Sequence, residues 1–464
     1  MSEQKWRIEK DSMGEMQCPA DKKWGASTQR SLQNFQVGTE KIPLEMVEAY
    51  TIQKKAVTMV NYEMGLMDKV IADAIIKACD NVLAGKLEGN FPLPVWQTGS
   101  GTQFNSNVSE VIAFHANEIL AEEGKTERVH PNDHVNLQQS SNDLYPTAMH
   151  MVGVDMISRM LIPAMEGLQA AFEKLAKEHE NLTKSGRTHF MDAIPMTFGQ
   201  EVSAWARMMQ RDKEYLCDGI KYLKEIALGG MVLGTGLTTK AGFAEKAAAK
   251  ISELTGYDYK SAPNKFQALT SKSEIAVVHG MLKALAADLT KIANDVRILA
   301  SGPRCGIGEI TVPMNEPGSV IQPGKVNPTQ CEALNMVCAQ VFGNDVTISY
   351  AASQGILQLN IYMPVISYNF IQSIRILSDM IVSFTKNCAQ GIKPNKEKMK
   401  EYLDKTLMVS MALVPLIGYD KATQIIKAAR DQDITLKEAA MKSGYISEED
   451  YDKNMQPENM VMPG

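Results

Sequence analysis

The sequence predicts a mainly α protein built around a bundle of long helices. Three observations carry that prediction. Between Ile275 and Leu299, apolar residues fall at 275, 278, 282, 285, 289, 292, 296 and 299, in steps that alternate between three and four. That is a heptad seam, which suits a long helix packed nearly parallel to its neighbours. Further long segments repeat at helical spacing while strand signals are few, as a bundle core requires. The seam is also longer than one helix pair needs, which points to burial against other subunits.

The elements follow in order. The first 135 or so residues mix short periodic segments with turn clusters such as Gly89-Asn90 and His130-Pro131-Asn132-Asp133. A long helical segment starts near Asp143 and runs toward Leu182, with Met149, Val152, Met156, Met160, Leu168, Phe172 and Leu175 on one face. Pro163 should kink or split it, because proline has no N–H to give and its ring crowds the preceding turn. Helical patterns continue over 197–227, 329–350 and 360–388. After about 391 the chain becomes a short, charged, helical tail ending in PENMVMPG. These changes divide the chain into an N-terminal domain (1–139), a central helical bundle (140–390) and a small C-terminal helical domain (391–464).

Composition excludes several classes. Apolar residues make up 44% and charged residues 22% of the 464 positions, as in an ordinary globular protein, so no disulfide or structural metal is needed for a core. The formal net charge of -6 argues against a general nucleic-acid binder, which carries a basic balance. Seven cysteines form no CxxC pair, and their odd number fits a reduced, cytoplasmic setting. The start MSEQKWRIEKDS has no apolar core of a secretory signal, and no uncharged apolar run is long enough to span a membrane.

The polar motifs lie in loops between the helical segments. GSVIQPGKVNPTQCEAL (Gly318–Leu334) interrupts the helical pattern with glycines and prolines and presents Ser319, Lys325 and Asn327. A lone loop serine is ordinarily a turn residue and a lone lysine a solvated charge. Together they make an anion pocket: lysine supplies charge, asparagine a donor, glycine close backbone approach. QSSNDLYPTAMH (Gln139–His150) can cap a helix with Ser141, Asn142 or Asp143, with Pro146 in the first turn. The same free amides and small hydroxyls bind carboxylate. TGSGTQFNSN (Thr98–Asn107) is a small, donor-rich loop, and in SGRTHFMDAIP the imidazole of His189 has the pKa range of a proton shuttle. HPNDH (130–134) reads as a turn before it reads as a metal site. GGMVLGTGL (229–237) does not match GxGxxG and lacks a βαβ context, so no dinucleotide site is expected.

Taken together, KKWGASTQRSLQNF, TGSGTQ, HPND, QSSND, GRTH, APNKFQAL, SGPRCGIGEI, PGKVNPTQCEA and IGYDKA resemble the class II fumarases of the fumarase/aspartase superfamily over nearly the whole chain. The resemblance implies a three-domain subunit whose central bundle packs into a tetrameric helical core, with each active site drawn from three chains. It implies reversible hydration of fumarate to L-malate by anti elimination and addition through an aci-carboxylate, with no metal or organic cofactor. Carried over by position, Ser319 is the base at C3, His189 its partner on the acid side through a bound water, and Glu332 orients that histidine. Ser100, Gly101, Thr102, Ser140, Ser141, Asn142, Thr188, Val320, Lys325, Val326 and Asn327 hold the substrate. His130, Pro131, Asn132 and Asp133 match a second, peripheral dicarboxylate site. The implied partners are the small dicarboxylate and three further copies of the chain, with no nucleic acid and no membrane.

The sequence departs from the family pattern at Phe104, Ser106, Glu127, Met231, Thr238, Met314, Val320 and Gln322. LQLN (Leu357–Asn360) and HPNDH look more like aspartases, which makes an aspartate ammonia-lyase the rival reading. A helical scaffold without activity is the other, and it has no need of Ser319, His189, Lys325 and Asn327 together.

Overall fold

A computed structural model describes residues 5–462; Met1–Gln4 and the final Pro463-Gly464 of PENMVMPG lie outside the described residues. The chain is mainly α, with seventeen α-helices and five two-stranded sheets among the described residues. It opens with a hairpin of β1 (Trp6–Asp11) and β2 (Gly14–Pro19). There follow α1 (Ala26–Asn34), α2 (Leu44–Glu63), α3 (Lys69–Leu83), α4 (Thr102–Glu122), α5 (Ser141–Met156) and α6 (Ile162–Glu178). A second hairpin, β3 (Thr183–Thr188) and β4 (Met191–Thr197), leads into α7 (Phe198–Leu223), α8 (Phe243–Thr255), α9 (Lys265–Thr270) and α10 (Ser273–Leu299). Two more long helices, α11 (Thr329–Ala352) and α12 (Met363–Asn387), precede the tail of α13 (Lys396–Lys405), α14 (Val414–Ile417), α15 (Tyr419–Gln432), α16 (Leu436–Ser443) and α17 (Glu448–Asn454).

The predicted seam is the buried face of α10: all eight positions from Ile275 to Leu299 are buried. The break expected at Pro163 lies just ahead of it, as a single π turn at Ile157–Leu161 between α5 and α6. Proline offers no N–H to the carbonyl one turn back, and a widened turn accommodates that loss without ending the helix.

The chain divides into two compact units. The first holds the residues up to Ile162, Glu214–Ala286 and Ala339–Leu377. At its centre is α2, which packs on α3, α4, α5 and α8. Its buried residues run all round the helix, as a helix enclosed on every side demands, and include Gln53, Lys54, Thr58 and Asn61. The start of α1 is capped from outside: Glu110 on α4 accepts the N–H groups of Gly25, Ser27 and Thr28 at 2.9, 2.9 and 3.2 Å. Burial raises the pKa of that carboxyl.

The second unit holds Pro163–Lys213, Ala287–Cys338 and the described chain from Ser378 onward. Its tail has a small core of its own, where Leu413, Ile425, Ala429, Leu436, Ala440 and Tyr451 meet. Its most heavily charged interior point lies under the β3–β4 hairpin. Glu309 is fully buried, accepts from both Nη atoms of Arg187 at 2.9 and 3.0 Å, and pairs with Lys184 Nζ at 2.8 Å. Lys184 also reaches Glu201 at 2.7 Å. The bidentate fork fixes the plane of the guanidinium and so the direction of β3. Glu309→Ala should leave Arg187 without its carboxylate and buried Lys184 with Glu201 as its remaining partner, and destabilise the protein by about 3–5 kcal/mol, read by chemical denaturation. A loss below about 1 kcal/mol would mean that the network behaves as a solvated surface pair.

Candidate functional site

The predicted site residues fall into two constellations, one in each unit. In the first unit two helix N-termini converge. α4 begins at Thr102 behind the cap residue Gly101, which has φ 71°. A side chain at Gly101 would strike the ring of Tyr145 at 2.0 Å, so the turn needs glycine for conformation and for space. Gly99 is equally constrained, because a Cβ there would lie 1.4 Å from the carbonyl oxygen of Ile361. α5 begins at Ser141 behind Ser140, in a reciprocal capping box with Asp143. The cap is therefore Ser140, one residue ahead of the three expected candidates. Pro146 sits within α5, past its first turn, and not at its start.

Thr102 Oγ1 lies 2.9 Å from Ser141 Oγ and 2.8 Å from Ser100 Oγ. The three hydroxyls form a chain across the two N-termini, where amides left unpaired by the helices carry partial positive charge. Asp143 holds this corner from beneath. It is fully buried and accepts from Ser140 N at 3.0 Å, Gly229 N at 3.0 Å and Met231 N at 2.8 Å. Burial pushes its carboxyl up to about 6 against the pull of those three donors. The glycine-rich 229–237 stretch is thus a loop docked on α5, and Asn142 Nδ2 also donates to Val232 O at 2.7 Å. Met231 and Thr238 take positive φ there, at 58° and 76°. Phe104 belongs to the core: it is buried and meets Tyr50 edge-on at 4.9 Å.

His130, Pro131, Asn132 and Asp133 form a π turn in the same unit. His130 Nδ1 accepts the backbone N–H groups of Asn132 and Asp133 at 3.3 and 3.1 Å. Asp133 Oδ2 lies 3.1 Å from the same nitrogen. An open cleft of about 1160 Å³ borders His130, Pro131 and Asn132, with Arg30, Gln103 and Glu110 also on its walls. Among the described residues no group of three or more His, Cys, Asp or Glu is placed to hold a metal ion.

In the second unit, His189 sits at the tip of the β3–β4 hairpin. Thr188 pairs with Met191, and the two residues between them, His189 and Phe190, have φ 55° and 60°. Positive φ at both positions is the two-residue turn that matches strand twist, and it normally selects asparagine and glycine. A histidine and a phenylalanine held there mark a strained, exposed tip above the Arg187–Glu309 anchor.

The 318–327 segment closes on itself. Asn327 Nδ2 donates to the carbonyl of Gly318, and a methyl group at Gly318 would lie 1.8 Å from the Lys325 carbonyl oxygen. The neck is thus pinned while the tip projects outward: Val320 is 100% and Ile321 87% exposed. Ser319 is half-buried at the neck, and Lys325 and Val326 are exposed on its far side. α11 follows, with Glu332 exposed in its first turn. Among the described residues no hydrogen bond joins Glu332 to His189 within the chain.

Three polar groups with long-range contacts escaped the motif reading. Glu309 lies inside SGPRCGIGEI, where glycine and arginine draw the attention. Asn136 follows HPNDHV without any periodic signal. Lys54 did leave one: it is a lysine inside the small and apolar face of TIQKKAVTMV.

A lyase family model matches residues 14–343, and a model of the fumarase C C-terminus matches residues 412–462. The chain is 52% identical to a class II fumarate hydratase of Bacillus subtilis and 50% identical to one of Helicobacter pylori, each over 99% of both chains. The crystal structure of a recombinant class II fumarase from Schistosoma mansoni superposes with a TM-score of 0.96 at 38% identity, covering 99% of this chain and 100% of that one. A fumarate lyase:delta crystallin from Brucella melitensis, bound to cobalt, superposes with a TM-score of 0.94 at 36% identity, covering 99% and 100%.

Gly318→Ala should force the neck open. Limited proteolysis should then cut within 319–326 faster than in the parent, while global stability changes by about 1 kcal/mol or less. An unchanged cleavage rate would mean that the Gly318–Lys325 contact does not hold the loop.

Proposed function

The chain belongs to the class II fumarate hydratase family of lyases, and from that premise we propose that it hydrates fumarate reversibly to L-malate at a site that draws on three chains. The observation that carries the reading is the pair of joined helix N-termini, lined by Ser100, Thr102 and Ser141, in a chain that also presents Ser319, Lys325 and Asn327 on one pinned loop. That inventory suits a dicarboxylate whose charge grows during the reaction.

In the elimination direction, Ser319 Oγ takes the proton from C3 of L-malate. The electron pair moves into the adjacent carboxylate and gives an aci-carboxylate, so the bound species carries about three negative charges. The hydroxyl at C2 leaves as water, with its proton supplied from the His189 side through a bound water, and Glu332 orients that histidine. Hydration reverses the path. Donors placed where the charge develops lower the barrier: Lys325, Asn327, Asn142, Thr188 and the amides of the two N-termini. Serine is a weak base at its ordinary pKa, so the loop must exclude water and stabilise the alkoxide. His130, Asn132 and Asp133 serve as a peripheral dicarboxylate site.

The catalytic groups meet between subunits of a homotetramer. Met336, Val346 and Tyr350 of α11 are exposed in the isolated chain, and an apolar surface of that kind on a long helix supports burial against other copies. The subunit divides at about 139 and 390, and the separate small core of the tail supports the second boundary. All seven cysteines are free thiols, which supports a cytoplasmic enzyme of the tricarboxylic acid cycle. No described helix is long and apolar enough to cross a membrane.

Fumarate absorbance, followed after adding L-malate and in parallel L-aspartate, tests the reading. Turnover of L-malate alone, unchanged by EDTA, is expected. Turnover of L-aspartate alone would make the protein an ammonia-lyase. Ser319→Ala should lower kcat by roughly a hundredfold or more without disturbing assembly or unfolding temperature, because a half-exposed loop hydroxyl contributes little stability. A near-normal kcat in that variant would remove Ser319 from the mechanism.

A further inference from the structure

Lys54 is the most deeply buried cation of the first unit and takes no part in the chemistry described above. It lies in the middle of α2 with no exposed surface. Its Nζ sits 2.8 Å from Asn105 Oδ1 and 2.7 Å from Asn136 Oδ1. Asn105 Nδ2 closes the triangle by donating to Asn136 Oδ1 at 3.2 Å.

Each asparagine leads directly to one cap. Asn105 N donates to the carbonyl of Gly101 at 3.0 Å, the first α-helical bond of α4. Asn136 Nδ2 donates to the carbonyl of Gln139 at 3.1 Å, one residue before Ser140. A single ammonium therefore ties together the undersides of the two turns whose hydroxyls meet at Thr102 and Ser141. We propose that Lys54 is a positioning residue for dicarboxylate binding, locking the Ser100–Thr102 turn to the Ser140–Asn142 turn through Asn105 and Asn136. This deepens the hydratase reading, since it takes the dicarboxylate site of that reading as given.

A purely structural role is a poor account of the lysine. A methionine would fill the same space without the cost of burying an amine, and apolar replacements of buried ions are often neutral or stabilising. What the ammonium adds is a third donor-rich centre behind two helix N-termini that already favour anions. Burial pulls its pKa down to about 7, with the negative charge of Asp143 on α5 opposing that fall and the Cys79 thiol on α3 the one other titratable group bearing on it among the described residues. An arriving dianion therefore draws the site toward the ammonium form, and by reciprocity the ammonium form binds the dianion more tightly.

Lys54→Met in the full-length protein tests this, with succinate as the dicarboxylate probe. Calorimetry should show succinate binding weakened by about tenfold or more, with KM for L-malate raised by a like factor and kcat moved far less, the pattern of lost uniform binding. Titrations in buffers of different ionisation enthalpy should also show less proton uptake on binding than in the parent. Asn136→Ala keeps the lysine and removes one tie, so it should weaken succinate binding in the same direction, and it decides the matter if Lys54→Met fails to fold. Folded variants that bind succinate within about twofold of the parent would overturn the proposal, whatever happens to L-malate. A parent that fails to turn over L-malate, with the succinate shift intact, would overturn the hydratase reading and leave the role of Lys54 standing.

Discussion

A buried helix start must find acceptors for its amides, and the arrangement of the first unit follows from how Asp143 meets that demand. One carboxylate accepts the N–H groups of Ser140, Gly229 and Met231. It thereby caps α5 from within and docks the 229–237 loop, and both fix where Ser141 and Asn142 point. The cost is a carboxylate in the interior, visible in its raised pKa. On the neighbouring α4 a parallel demand is answered by Gln97, whose Oε1 accepts the N–H of Phe104 at 3.1 Å. The ligand-facing surface is thus a by-product of polar groups satisfied underneath it.

The second unit orients its groups differently. Here a short hairpin and a closed loop carry the functional side chains, and charge does the anchoring. Arg187 and Lys184 converge on Glu309, so the strand that leads to His189 starts from a fixed point. The hairpin tip is left with exposed Phe190 and Met191, at 81% and 69%, beside the histidine. Apolar residues next to a polar functional group, with nothing over them in the isolated chain, are consistent with a site that is completed only on assembly.

How much of this was legible in the sequence depended on the range of the interaction. The heptad face of α10, the interruption near Pro163 and the loop at 318–327 are local patterns found where the spacing put them, whereas the loop expected over 98–107 ends at Gly101, because α4 already begins at Thr102. The cap of α5 was missed by one residue because Ser140 and Ser141 are chemically equal, and only the backbone decides which stands outside the helix. The contacts of Glu309, Asn136 and Lys54 were hidden for another reason. Their partners lie 122, 82 and 51 positions away, at Arg187, Lys54 and Asn105, and no local period records a contact of that separation. The turn at His189 was hidden too, because its conformation runs against the preference of the residues that occupy it.

The neck between Gly318 and Asn327 also sets an entropy scale. Fixing one residue's backbone costs about 1–2 kcal/mol, so a free tether between α10 and α11 would resist ordering in proportion to its length. With both ends already joined by the Asn327 amide, only the residues between them retain that freedom. Pro323 removes part of what is left. Any cost of ordering the segment is therefore confined to the residues enclosed by the neck.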